Sequence, residues 1–240
     1  MSEILHKDLS YKLNGCIFDV HNEVGPGVRE ECYQKSMDLR LHHAAIPYIA
    51  KPATRRDLVY RGVVVDTFEP DLVANEQIIV ELKHQAEGLA RENFAQILAY
   101  QKFWQIELGC LVNFAMEKAI IQRVVYEPRH PPVEEDYDYI RDRIQPNHKP
   151  LLRTIRDSLV HLNDEIGLGY TTKTYRNMMI VELQHRGLAC DAKVEVEALY
   201  DEVSARAVRT MQTHLRMTGS DVGLVAGFGK SRFMIRGVRS

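Results

Sequence analysis

Residues 153–193 lie on residues 11–51 without a gap, at a constant offset of 142. Nine of the 41 pairs are identical: Glu23/Glu165, Gly25/Gly167, Gly27/Gly169, Tyr33/Tyr175, Met37/Met179, Leu41/Leu183, His43/His185, Ala50/Ala192 and Lys51/Lys193. Composition alone would give about two or three. Near the end of the chain LGCLVNF at 108–114 lies on VGLVAGF at 222–228, at an offset of 114. The second copy is therefore 28 residues shorter, with the loss confined between these anchors. Such an internal duplication constrains the fold strongly, because both copies must bury the same periodic apolar positions. The expected organisation is a first domain over 1–126, a linker over 127–150 that holds five of the nine prolines, and a shortened repeat over 151–240.

The first copy reads as an amphipathic helix over 8–24, with Leu13, Ile17, Val20 and Val24 at helical spacing. Gly25-Pro26-Gly27 ends it. A helix over 30–44, a strand over 57–66 and a hairpin follow; FEPDLV and IIVELK flank the turn ANEQ. A helix over 91–105 and two apolar strands, LGCLVNFA and AIIQRVVY, complete the unit. The fold class is α/β, a mixed sheet flanked by helices and followed by a degenerate copy of the same core.

Bulk properties exclude several functions. The formal net charge is −2, so any contact with nucleic acid must come from a local patch. Residues 151–240 carry 13 basic and 10 acidic side chains, whereas the rest carry 18 and 23. The opening MSEILHKDLSYKLNG lacks the basic and apolar regions of a secretory leader, and no segment reaches membrane-spanning length. A cytoplasmic protein without membrane association is expected. Cys16, Cys32, Cys110 and Cys190 are scattered with no C-x-x-C, so reduced thiols are expected and neither zinc nor an iron–sulfur cluster. The ten histidines form no H-E-x-x-H.

The chemical signal is Asp71 followed, ten positions on, by Glu81-Leu82-Lys83. Residues two apart in a strand share a face, so Glu81 and Lys83 project together. The ANEQ turn brings Asp71 beside Glu81. Two adjacent carboxylates repel unless a cation lies between them, and Mg²⁺ takes such hard oxygen ligands. Lys83 on the same face can orient water and offset charge on a phosphorane-like transition state. Taken alone the motif is weak, since strands often carry E-x-K on a wet face. Here the flanking Ile78, Ile79, Val80 and Leu82 mark a buried strand, where charge is costly. Glu30 opens a helix, where its carboxylate also suits the helix dipole. Gln96 and Tyr100 share one face of the third helix.

In this order and spacing, GVREECY (27–33), FEPDLV (68–73), IIVELK (78–83), FAQILAYQ (94–101) and GCLVNF (109–114) carry a family likeness. Residues of about 9–126 resemble the GxxExxY family of the PD-(D/E)XK nuclease superfamily. The resemblance implies a restriction-endonuclease-like core and Mg²⁺ or Mn²⁺ as cofactor. It implies Asp71 and Glu81 as metal ligands, with the Leu82 carbonyl as a third and Glu30 acting through a water or on a second metal. Lys83 would be the catalytic lysine. Gln96 and Tyr100 resemble the Q-x-x-x-Y element of the RecB-like branch, which positions substrate and active-site groups. The cysteines do not match the cluster pattern of that branch.

The second copy departs from the motif. Thr172 stands at the position of Glu30, and no Asp-plus-E-x-K hairpin survives. By the offset of 142, Lys193–Glu197 falls at 51–55, ahead of the hairpin. An inactive lobe without catalytic metal is expected, serving as a substrate platform or partner surface. Its candidate phosphate contacts are Arg232, Arg236 and Arg239, in a tail with Arg216 and Lys230 set against Asp221 alone. The leading functional expectation is a metal-dependent nuclease hydrolysing phosphodiester bonds, with DNA favoured over RNA. The alternative is a catalytically silent nuclease-fold protein that binds nucleic acid or a protein partner. A homodimer is the further partner expected.

Overall fold

A computed structural model of the chain describes residues 4–188 and 194–240. Cys190 and the second-copy members of the pairs Ala50/Ala192 and Lys51/Lys193 lie outside the described residues. The chain divides into two compact units, one formed by 1–57 and 67–127, the other by 58–66 and 128–240.

The elements of the first half are α1 (Lys7–Val24), α2 (Glu30–His43), β1 (Tyr48–Ala50), β2 (Arg56–Tyr60), β3 (Val63–Phe68), β4 (Leu72–Ala74), β5 (Ile78–Lys83), α3 (Arg91–Trp104), β6 (Leu108–Asn113) and β7 (Ile120–Val125). The sheet of the first unit runs β1-β4-β5-β6-β7, with β5 and β6 parallel and the other pairs antiparallel. The alternation of the strands sorts its two faces. Ile78, Val80 and Leu82 of β5, with Leu108, Cys110 and Val112 of β6, bury against Leu13, Ile17 and Val20 of α1 and Tyr33, Met37 and Leu41 of α2. The intervening residues turn toward α3. Gly109 is needed there, since a Cβ on it would come within 2.7 Å of the Ile97 side chain.

Two local features differ from the sequence reading. The strand expected over 57–66 is a hairpin, β2–β3, because Arg61 (φ 48°) and Gly62 (φ 78°) form a left-handed turn in the middle of the apolar run. Its tip belongs to the second unit. Tyr60 and Arg61 there bond to Glu182, and the Val65 carbonyl accepts from Asn177. The stretch 127–150, read as a linker, supplies a strand, β8 (Val133–Asp136), to the sheet of the second unit.

That unit continues with α4 (Lys149–Ile166), α5 (Thr172–His185), β9 (Val194–Ala198), α6 (Ala205–Thr218), β10 (Val222–Phe228) and β11 (Phe233–Arg239), and its sheet runs β8-β11-β10-β9. The duplication is visible in three dimensions. The limits of α4 and α5 are those of α1 and α2 plus 142, and those of α6 are those of α3 plus 114. Each copy ends its first helix at a positive-φ glycine, whose carbonyl accepts a tyrosine hydroxyl. The distance is 2.7 Å for Tyr33 to Gly25 and 2.6 Å for Tyr175 to Gly167. Each tyrosine then stacks on a phenylalanine, Tyr33 on Phe114 at 4.4 Å and Tyr175 on Phe228 at 4.0 Å.

The register corrects the assignment of Lys193–Glu197 to the positions before the hairpin for its described part, Val194–Glu197; Lys193 lies outside the described residues. Glu81 pairs with Leu111 in the first sheet, and Glu195 pairs with Val225, the repeat mate of Leu111, in the second. β9 is therefore the counterpart of β5. Glu195 stands where Glu81 stands, and Glu197 stands in place of Lys83. The 28-residue loss removes β1's continuation through β4.

Candidate active site

The hairpin that carries the motif is set by its turn. Asn75 and Glu76 are both left-handed (φ 49° and 55°), and the Gln77 N–H donates to the Ala74 carbonyl at 3.0 Å. That turn matches the twist of the flanking strands. It fixes Leu72 opposite Val80, and hence Asp71 opposite Glu81. Both carboxylates are buried, at 3% and 2% exposure, so neither is hydrated by bulk water.

Each carboxylate oxygen has a donor. Asp71 Oδ1 accepts from Gln34 Nε2 at 2.8 Å and meets Lys51 Nζ at 2.7 Å, while Asp71 Oδ2 takes the Leu82 N–H at 2.7 Å. Lys83 Nζ donates to Glu81 Oε1 at 2.7 Å, and the Asp71 N–H points to Glu81 Oε2 at 3.3 Å. Burial, followed by the charge of Asp71, pushes the Glu81 carboxyl above the usual carboxylate range, against the pull of Lys83 and Lys51. Glu30 belongs to the same field. Its carboxyl is also raised, by burial and then by Asp71, and is drawn back by Lys83 and Lys51. Burial alone would lower Lys51, but its bond to Asp71 and the surrounding carboxylates outweigh burial and hold the ammonium charged.

α3 brings the remaining pair. Gln96 Nε2 donates to the Tyr100 hydroxyl at 2.8 Å. Burial and then the charge of Glu81 push the Tyr100 phenol well above its ordinary value. The structure thus brings Asp71, Glu81 and Lys83 into direct contact, sets Glu30 and Tyr100 within reach of their charges, and ties Gln96 to them through Tyr100. It adds two residues absent from the sequence reading, Gln34 and Lys51. A signal for each existed. Gln34 lies four residues after Glu30 on α2, and Lys51 is one of the identical pairs of the repeat.

The donor set can be tested against a divalent ion. Among the described residues no three His, Cys, Asp or Glu side chains stand together as a metal cage. Mg²⁺ does not require one, since it keeps several waters and is held by one or two carboxylates. Asp71 and Glu81 are such a pair, hard and buried. The ammonium groups of Lys51 and Lys83 mark where positive charge is favoured, so the residues fit the ion.

The repeat mate of this cluster has other chemistry. Glu195 is ion-paired with Arg176, which replaces Gln34. Glu197 is buried and accepts the Ser204 hydroxyl at 2.7 Å. Thr172, in place of Glu30, accepts the Ala198 N–H at 2.9 Å.

The family model of the PD-(D/E)XK nuclease superfamily matches residues 7–124 and 149–212, about three-quarters of the chain. The chain belongs to the PD-(D/E)XK nuclease superfamily. The match falls in two segments, as the duplication requires, and the helix-flanked mixed sheet of the first unit is the restriction-endonuclease-like core of the superfamily. No curated protein and no solved structure matches. Nucleases of this superfamily generally use Mg²⁺ or Mn²⁺. No described helix is long and apolar enough to cross a membrane.

The candidate phosphate contacts of the second copy are less free than the sequence suggests. Arg232 forms a two-pronged ion pair with Glu134, and Arg236 meets Asp136 at 3.4 Å. Both acids come from β8, the strand hidden in the proline-rich stretch. The tail therefore does not face Asp221 alone.

Proposed function

We propose that the first unit is a metal-dependent nuclease of the GxxExxY type that hydrolyses phosphodiester bonds, with DNA as the favoured substrate. The observation that carries this reading is the buried Asp71–Glu81 pair with Lys83 on the Glu81 carboxylate, in a chain of this superfamily. Asp71, Glu81 and the Leu82 carbonyl would hold Mg²⁺ or Mn²⁺, with Glu30 acting through a water. Bound there, the ion draws charge from the phosphate and makes water more acidic.

The chain's own residues supply the rest. Lys83, already 2.7 Å from Glu81, moves its ammonium from the carboxylate to the incoming phosphate once other positive charge satisfies Glu81. It then offsets the charge that develops in the transition state. Lys51 and Gln34 hold Asp71 in one rotamer through its Oδ1. The Leu82 N–H fixes the other oxygen, so the pair is preorganised. Gln96 orients the Tyr100 hydroxyl toward the carboxylates, where it can donate to a phosphate oxygen.

The test uses end-labelled and internally labelled DNA and RNA, incubated with the full chain in Mg²⁺, Mn²⁺ or EDTA. Cleavage should require the ion and vanish in Asp71→Asn. Binding without cleavage under every metal condition would favour the silent nuclease-fold alternative. Full activity of Asp71→Asn in Mg²⁺ would refute the assigned site.

A further inference from the structure

The second unit contains a cavity of about 500 Å³ between α6 and the outer half of β11, within the usual range for small-molecule sites. It opens there because β8 covers only Phe233–Arg236, leaving the last residues of β11 without a strand neighbour on that side. Its walls are mostly apolar, with Val208 and Val238 among them. Arg209, Arg236 and Arg239 also line it, and no carboxylate does. The guanidinium carbon of Arg236 lies over the Tyr139 ring, 4.9 Å from its centre, and both residues line the cavity.

The duplication provides an internal comparison. At the offset of 114, Arg209, Arg236 and Arg239 correspond to Ala95, Gln122 and Val125 of the first copy. All three cations are thus peculiar to the copy that has lost the catalytic hairpin. Val238 and its mate Val124 are both valine, whereas the lining residues Ala205 and Gly237 correspond to Arg91 and Arg123, so the two copies place their cations at different positions of this wall. Arg236 is partly offset by Asp136. Arg209 and Arg239 are exposed and make no ion pair among the described residues.

We infer that this cavity is a nucleotide site, taking an aromatic base against Val208, Val238 and the Arg236–Tyr139 pair and a phosphate on Arg209 and Arg239. Apolar side chains favour an uncharged ring, and guanidinium groups select phosphate through paired N–H donors. Base stacking on aromatic and guanidinium planes tolerates any base. The site stands on the second unit alone and does not depend on the nuclease reading.

Calorimetric titration of the full chain with adenosine 5′-monophosphate in EDTA tests it, since without divalent ions the Asp71–Glu81 site contributes no metal-borne phosphate binding. The nucleotide should bind, with inorganic phosphate and adenosine each weaker by about tenfold or more, because each lacks half of the recognised groups. The double variant Arg209→Gln/Arg239→Gln changes exposed side chains and should keep its circular dichroism while losing about tenfold or more in affinity. Val208→Trp, which fills the cavity, should abolish binding. A short single strand with and without a 5′-phosphate identifies the source. Tighter binding of the phosphorylated strand than of the mononucleotide assigns the site to strand ends, and equal binding assigns it to free nucleotide. No heat with the mononucleotide, equal affinity for phosphate alone, or unchanged affinity in the double arginine variant would each overturn the proposal.

Discussion

Removing the Glu182 carboxylate should loosen the second unit by an amount that the structure bounds. Its side chain is fully buried and accepts from the Tyr60 hydroxyl at 2.8 Å, Arg61 Nε at 2.6 Å and Arg186 Nε at 2.7 Å. Burial alone would raise this carboxyl, but the hydrogen bonds from Arg186, Arg61 and Tyr60 outweigh it and hold it at about 2, below the ordinary 4.5. At about 1.4 kcal/mol per unit, that displacement corresponds to roughly 3 kcal/mol. Arg61 and Arg186 are 29% and 32% exposed, and water regained by them reduces the loss toward about 2 kcal/mol. In Glu182→Ala the Tyr60 hydroxyl, 3% exposed with its residue, is left without this acceptor, which adds about 1 kcal/mol. Glu182→Gln keeps that acceptor and should lose about half as much. Because the folded pKa is depressed, the contribution is complete above about pH 4.5 and disappears as pH falls toward 2. The gap between parent and variant should close over that window. Hydrogen exchange at 58–66 and along α5 measures it, while fluorescence of Trp104, the one tryptophan and a residue of the first unit, should be unaffected. A loss below about 0.5 kcal/mol, or one that persists unchanged at pH 2.5, would refute the reasoning.

Other perturbations probe the first unit. Lys83→Ala should lower turnover by about 10²–10³-fold with little change in substrate affinity, since its charge acts chiefly on the transition state; single-turnover kinetics separate the two. Glu81→Gln should raise the thermal midpoint in EDTA, because the ionised form is opposed by burial and by Asp71 more than Lys83 and Lys51 favour it. Trp104 fluorescence reads that midpoint, and a lower one would show that the Lys83 bond dominates. Lys51→Met should lower stability in EDTA and strengthen its response to Mg²⁺, since it removes an ammonium that neutralises Asp71 while Gln34 and the Leu82 N–H still hold that carboxylate; a Mg²⁺ titration followed by thermal melts tests this.

Much of this architecture is legible in the sequence because it rests on period and on turns. The apolar spacing in 8–24 and the Gly25 break set α1, and the constant offset carries the limits of α1 and α2 over to α4 and α5. The Asp71–Glu81 juxtaposition follows from the turn between two short apolar strands. What escapes is long-range. Lys51 reaches Asp71 because β1 pairs with β4, and strand pairing at that separation leaves no periodic trace. The Arg61-Gly62 turn is obscured because valines flank it on both sides, so the run reads as one strand. β9 falls in the wrong register by offset alone, because only its partner strand, β10, places the gap. The acids of β8 are hidden by prolines that suggest an unpaired linker.

The duplication separates residues that make the fold from residues that make the chemistry. Tyr33 and Phe114 persist as Tyr175 and Phe228, because each ring fills the core and each hydroxyl caps a helix-ending carbonyl. Around the carboxylates the opposite holds: Glu30, Gln34, Lys83, Gln96 and Tyr100 have become Thr172, Arg176, Glu197, Thr210 and His214. Glu81 keeps its identity, as Glu195, yet its situation has reversed. Glu81 is buried beside a second buried carboxylate, that of Asp71, whose charge adds to burial in raising it. Glu195 has lost that neighbour along with β4 and is matched by one guanidinium, that of Arg176. A divalent ion therefore relieves repulsion in the first copy and would have to displace an ion pair in the second. Saturating Mg²⁺ should stabilise the first unit by a factor that grows with its free concentration and leave the second unchanged. Hydrogen exchange along β5 and β9, with and without the ion, distinguishes the two. Equal protection gained by both strands would show that the second copy has kept a metal site, and that the ion pair of Arg176 is no substitute for one.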